Sequence, residues 1–125
     1  MKKLVIAGIL ALASFAAAAG VIITLLLNAT TTGAGTGVNY ASFGAGLPTP
    51  NRWFQATLSG ASAVSATVEI DGSTDNTNWV PIATLNPTAA SSTLAIATQQ
   101  TAPWIRGNVL AISGTGATVT LQSGL

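Results

Sequence analysis

The sequence predicts an all-β protein: an antiparallel β-sandwich, jelly-roll or immunoglobulin-like, preceded by an N-terminal hydrophobic helix. Three observations carry that expectation. Short segments of the second half alternate apolar and polar residues at period two. Polar turn clusters separate them at spacings of about ten residues, the rhythm of sandwiches and barrels. Ahead of them, behind Lys2 and Lys3, runs an uncharged apolar stretch from Leu4 to Leu27.

As a continuous helix rising about 1.5 Å per residue, that stretch would span about 36 Å, enough for a hydrocarbon core of about 30 Å. Leu4, Ile9, Leu12 and Phe15 are then candidate assembly contacts, and residues 4–27 a possible membrane contact. The same stretch has the parts of a signal peptide: a basic start, an apolar centre, and small residues Ala16–Ala19 offering A-x-A-like cleavage positions. On that reading the mature chain begins near Gly20, and "VIITLLLNA" is a first strand. The local chemistry does change partway. Leu4–Ala19 is rich in the helix formers Ala and Leu, whereas Val21–Leu27 holds Val, Ile and Thr, which suit a strand. Gly20 stands between them and is able to end a helix.

The chain divides into three expected regions. Residues 1–27 are the hydrophobic segment, either a signal peptide or a retained membrane or assembly helix. Residues 28–51, "NATTTGAGTGVNYASFGAGLPTPN", are a Gly/Thr/Pro-rich loop region with a short strand around Gly37–Tyr40. Residues 52–125 form the core of the sandwich. There "RWFQATL" sets Phe54, Ala56 and Leu58 on one face, and "VSATVEI" sets Val64, Ala66, Val68 and Ile70 inward with Glu69 out. "STLAIAT" and "PWIRGNVLAI" supply two more strands, and "ATVTLQ" points Ala117, Val119 and Leu121 in. No segment reads as a crossover helix, which disfavours a parallel sheet.

Composition bounds the function. The 125 residues carry four basic and three acidic side chains, and no His or Cys. Thiolate chemistry is excluded, and so are the commonest general base and the commonest transition-metal ligand. Beyond Lys2 and Lys3, two arginines face three acids, which is no footprint for nucleic acid. So few charges point to a surface partly covered in an assembly, or to one kept soluble by Ser, Thr, Asn and Gln. No cofactor and no small-molecule substrate is expected, and an enzyme is not expected, because the serines and threonines lack an evident base.

The candidate sites are few. In "DGSTDNTNW", Asp71, Ser73 and Asp75 have the one-three-five spacing that opens a calcium loop. The twelfth position, which needs a bidentate Glu, is Ile82, so a plain hairpin turn is the stronger reading and an ion at Asp71 and Asp75 the weaker. Trp53, Trp79 and Trp104 are expected in the core or under loops, with subunit contacts second and a glycan platform third. Arg106 shares a strand face with Trp104; stacking, or an ion pair with Glu69 or Asp75, is its expected use. These three tryptophans and Arg106 complete the set of candidate assembly contacts.

"ATVEIDGSTDNTNWVPIATL", followed by "APWIRGNVLAISGTGATVTL", resembles the small virion structural β-domains of bacteriophages, of the capsid-decoration, cement or tail-associated type. "LLNATTTGAGTGV" matches the way such domains begin, and the resemblance runs from Leu25 to Leu121. It implies a non-enzymatic virion component that packs against copies of itself and a major shell or tail protein. The apolar leader departs from that pattern. Pilin-like subunits of an extracellular filament offer a second class, although the acid usual near their helix start is replaced here by lysines. A secreted or cell-surface carbohydrate-binding module is the third.

Overall fold

Where apolar and polar residues alternate, the chain is strand. The computed structural model describes residues 22–39, 52–89, 91–99 and 102–124. They form β1 (Ile22–Ala29), β2 (Gly33–Ala34), β3 (Val38–Asn39), β4 (Arg52–Ser59), β5 (Ser65–Ser73), β6 (Val80–Leu85), β7 (Ser92–Thr98), β8 (Trp104–Ser113) and β9 (Thr118–Gly124). All pairings among them are antiparallel.

Two sheets result. One is four-stranded in the order β1-β9-β4-β7; the other runs β2-β8-β5-β6, with β3 also on β8. Apart from the β5–β6 hairpin and the β2–β3 link, each described step along the chain from one strand to the next changes sheet. Taking β2 and β3 as one interrupted strand, this is the connectivity of a jelly roll, two Greek keys folded face to face.

Alternation places the core between the sheets. Phe54, Ala56, Leu58, Val119 and Leu121 of the four-stranded sheet are buried against Val68, Ile70, Ile105 and Val109 of the other. Each large side chain contributes about 1.5–3 kcal/mol by leaving water. The layers meet closely at Gly107, where a Cβ would lie 2.7 Å from Leu26 and 2.8 Å from Leu121. A glycine is required there by space. Arg52 and Ser123 are buried polar members of the inner set of the four-stranded sheet.

The expected architecture, a β-sandwich preceded by an N-terminal hydrophobic helix, needs correction. The described chain is all-β and contains no helix. Ile22–Leu27, counted within the hydrophobic helix, lies in strand β1, paired with β9 from Ile22↔Gly124 onward. Two register irregularities let Leu25 and Leu26 both turn inward beside Ile23, so three apolar side chains are buried without the period of a helix. Among the described residues the sandwich therefore includes Ile22–Ala29 as well as the strands from Arg52 onward; β3 lies where a short strand was expected around Gly37–Tyr40, and β2 lies in the stretch expected to be loop. Leu4, Ile9, Leu12 and Phe15 lie outside the described residues, and so does the part of the expected hydrophobic helix that precedes Ile22.

Candidate functional site

The outer face of the five-stranded sheet gathers charge. Period two carries Glu69, Asp71 and Ser73 of β5 outward, opposite Asn108, Arg106 and Trp104 of β8. Arg106 Nε donates to Asp71 Oδ2 at 2.9 Å. The carbon of the same guanidinium lies 4.4 Å from the centroid of the Trp79 ring, a cation–π stack. Asp71 is only 3% exposed whereas Arg106 is 24% exposed, so the carboxylate lies buried on the outer face, beneath its cation.

Asp71 Oδ1 is also buried and receives no hydrogen bond. Burial first, then the hydrogen bond and charge of Asp71, push the Glu69 carboxyl above its usual range, against the opposing pull of Asn108 and Arg106.

The hairpin between β5 and β6 closes on itself. Asp75 Oδ1 accepts from the backbone of Thr77 at 2.9 Å and of Asn78 at 2.8 Å, and from Ser73 Oγ at 3.0 Å. Its Oδ2 accepts from Asn78 Nδ2 at 2.7 Å. Those bonds, led by the Asn78 backbone, hold the carboxyl well below the usual carboxylate range. Asn76 takes positive φ at the tip, which asparagine tolerates. The one-three-five spacing thus does not converge on an ion: Asp71 is turned to Arg106, and Asp75 is spent on its own turn. Among the described residues no three His, Cys, Asp or Glu come together to hold a metal.

The candidate residues fall in two places. Trp79 leans on the loop between β2 and β3, where a Cβ on Gly37 would come within 2.8 Å of its ring. Trp104 is half-buried between Ser73 and Asn39 in register. These two and Arg106 share one side of the sandwich. Trp53 stands on the other, 53% exposed. Sequence reasoning gave Arg106 the partners Glu69 or Asp75 and missed Asp71, although period two from Glu69 already places Asp71 on the same face.

The outer face of the four-stranded sheet is different in kind. Its rows read Ile22, Gly124, Trp53, Ala97 and then Thr24, Gln122, Gln55, Ala95 across β1, β9, β4 and β7. Thr120, Thr57 and Thr93 continue them, with the hydroxyls of Thr57 and Thr93 3.3 Å apart. No described residue of this face is charged, and Ile22 is 69% exposed beside Trp53. Elsewhere, a depression of about 340 Å³ at the base of the hairpin is lined by Gly72, Ser73, Val80, Pro81, Ile82 and Ala102 among others, with no charged side chain. Among the described residues no helix is long and apolar enough to cross a membrane.

Fold and faces together define a jelly-roll module with one ion-paired side and one neutral side. No protein-family model matches the chain, and no curated protein matches it in sequence. Among solved structures it is similar to the crystal structure of the PBSX exported protein XepA, at 18% identity and a TM-score of 0.52. The match covers 83% of this chain and 36% of the other, so this chain spans little more than a third of that protein. At such identity the likeness is one of fold.

Proposed function

We propose that the chain is a non-enzymatic structural subunit of a phage virion, in a capsid-associated decoration, cement or tail position. It works by packing against copies of itself and against a shell or tail protein. The observation that carries this reading is the uncharged outer face of the four-stranded sheet, with Trp53 and Ile22 standing out of a Thr/Gln field. Desolvating such a face costs no buried charge, and an exposed tryptophan is a common interface anchor. The fold it shares with a phage-related exported protein supports the same direction.

The test is the composition of gradient-purified particles from the native source. The chain is expected at a fixed stoichiometry to the major shell or tail protein, resistant to a salt wash, since neutral contacts are poorly screened. Its absence from particles, with the chain recovered as a free glycan-binding protein, contradicts the proposal.

A further inference from the structure

A β-sandwich exposes four sheet edges, and each is a row of unpaired backbone amides and carbonyls that invites another strand. Three of the edges here are blunted. β1 carries two register irregularities and a positive φ at Asn28. β6 carries Pro81 and a bulge opposite Ile70 and Asp71. β2 and β3 are two residues each. The fourth, β7, has none of these devices. "STLAIAT" pairs with β4 through seven consecutive residues without a shift, and it contains no charge, proline or glycine.

Its inner face is also unfinished. Leu94 lies in register with buried Ala56, yet remains 40% exposed because no strand stands beyond it among the described residues. We propose that β7 is the subunit-joining edge, and that its partner is β7 of a second copy of this chain, antiparallel about a twofold axis at Ala95. Ser92 N–H already donates to Ala89 O at 3.2 Å, so the new ladder runs through residues 93–97, and that centre sets those five residues against their own image. It sets Leu94 against the partner copy's Ile96 and Thr93 against its Ala97. Each Leu94 is then covered by an apolar neighbour, and the two inner layers become continuous. The four-stranded sheets join into one of eight strands, with the neutral outer face running unbroken across both copies. The strand holds no charge that could meet its own image, which is the usual obstacle to isologous pairing.

The inference rests on the structural-subunit reading only for its purpose, and its test is separable. Ala95 points outward and is exposed, so substitution leaves the core intact. In the paired edge the two Ala95 side chains are direct neighbours, with Cβ atoms about 4.5–5.5 Å apart. The full-length chain is expected to be a dimer by analytical ultracentrifugation. A95K alone and A95E alone are expected to be monomers, weakened at least tenfold in self-association, with thermal unfolding that matches the parent at concentrations where the parent is itself dissociated. Mixed one to one, they are expected to recover the dimer. A monomeric parent chain, or A95K that associates as strongly as the parent, overturns the pairing. So does a mixture that stays monomeric beside a dimeric parent. Incorporation of A95K into particles at the parent level overturns β7 pairing while the virion reading stands. A dimer that responds to the charge swap but is absent from particles overturns the virion reading and leaves the pairing intact.

Discussion

The two outer faces of this sandwich solve opposite problems. The five-stranded sheet buries a carboxylate on its solvent side and answers it internally, with Arg106 bonded to Asp71 and stacked on Trp79. Arg106, the cation of this face, already has both its partners within the chain. The four-stranded sheet has nothing to answer: threonines, glutamines, alanines, Ile22 and Trp53, with no charge among the described residues. The first face is finished within one chain, and the second is fit to be finished by another. The difference teaches that scarce charge is informative by where it is placed as well as by how little there is.

That contrast can be broken from the core outward. Phe54→Ala removes a fully buried ring shared by both layers and should cost about 3–5 kcal/mol, read by chemical denaturation. It calibrates what a structural residue is worth here. Arg106→Ala should come next, at about 3 kcal/mol, because it leaves Asp71 buried and uncompensated and also strips the Trp79 stack. If Arg106→Ala proves neutral, the ion-paired face is not a structural unit. Gly107→Ala inserts a methyl against Leu26 and Leu121 and should cost about 1–3 kcal/mol.

On the neutral face the expectation reverses. Trp53→Lys should alter stability by no more than about 0.5 kcal/mol, as surface substitutions do. It should nevertheless abolish incorporation into particles, measured by densitometry of the purified virion. A large loss of stability would mean that Trp53 serves the fold instead.

The smallest effects concern pH, and they carry opposite signs. Asp75 is held below its ordinary value near 3.8, so its contribution is present above that pH and drains away as pH falls further. Asp75→Asn should flatten the acid limb of the stability profile. Glu69 is raised above its ordinary value near 4.5, so the folded state gains from its proton at low pH and loses that gain as pH climbs through the raised value. Glu69→Gln should remove that decline and leave the protein slightly more stable at neutral pH. Both are read from denaturation midpoints taken across the acid range.

Much of the fold was legible because strand alternation is local. Phe54, Ala56 and Leu58, and Val64 to Ile70, declare their faces within a few residues, and all of these inward positions are buried. The start of the sandwich was only half legible. The Val, Ile and Thr after Gly20 suit a strand, but "VIITLLL" has no alternation, so a helix or a signal peptide competed with that reading. Only the pairing of Ile22 with Gly124, about a hundred residues away, decides the matter. β2 is too short to show a period and exists by pairing with β8, while β3 lies where a short strand was expected around Gly37–Tyr40. The same holds for the partner of Arg106. Its face could be read, but the choice of Asp71 over Glu69 depends on a bulge between Thr67 and Val68 that sets the β5–β8 register. The neutral face was foreshadowed by composition alone, since charge counts say nothing about which sheet goes without.

The central claim is that the face around Trp53 is covered in the assembled particle while the face around Arg106 owes its order to its own chain. Oxidative footprinting of the free chain and of intact particles, quantified at Trp53 and Trp104 by mass spectrometry, tests it most directly. The account predicts that Trp53 loses most of its labelling on assembly while Trp104 changes little. Equal labelling of Trp53 in both states, or protection confined to Trp104, would contradict it.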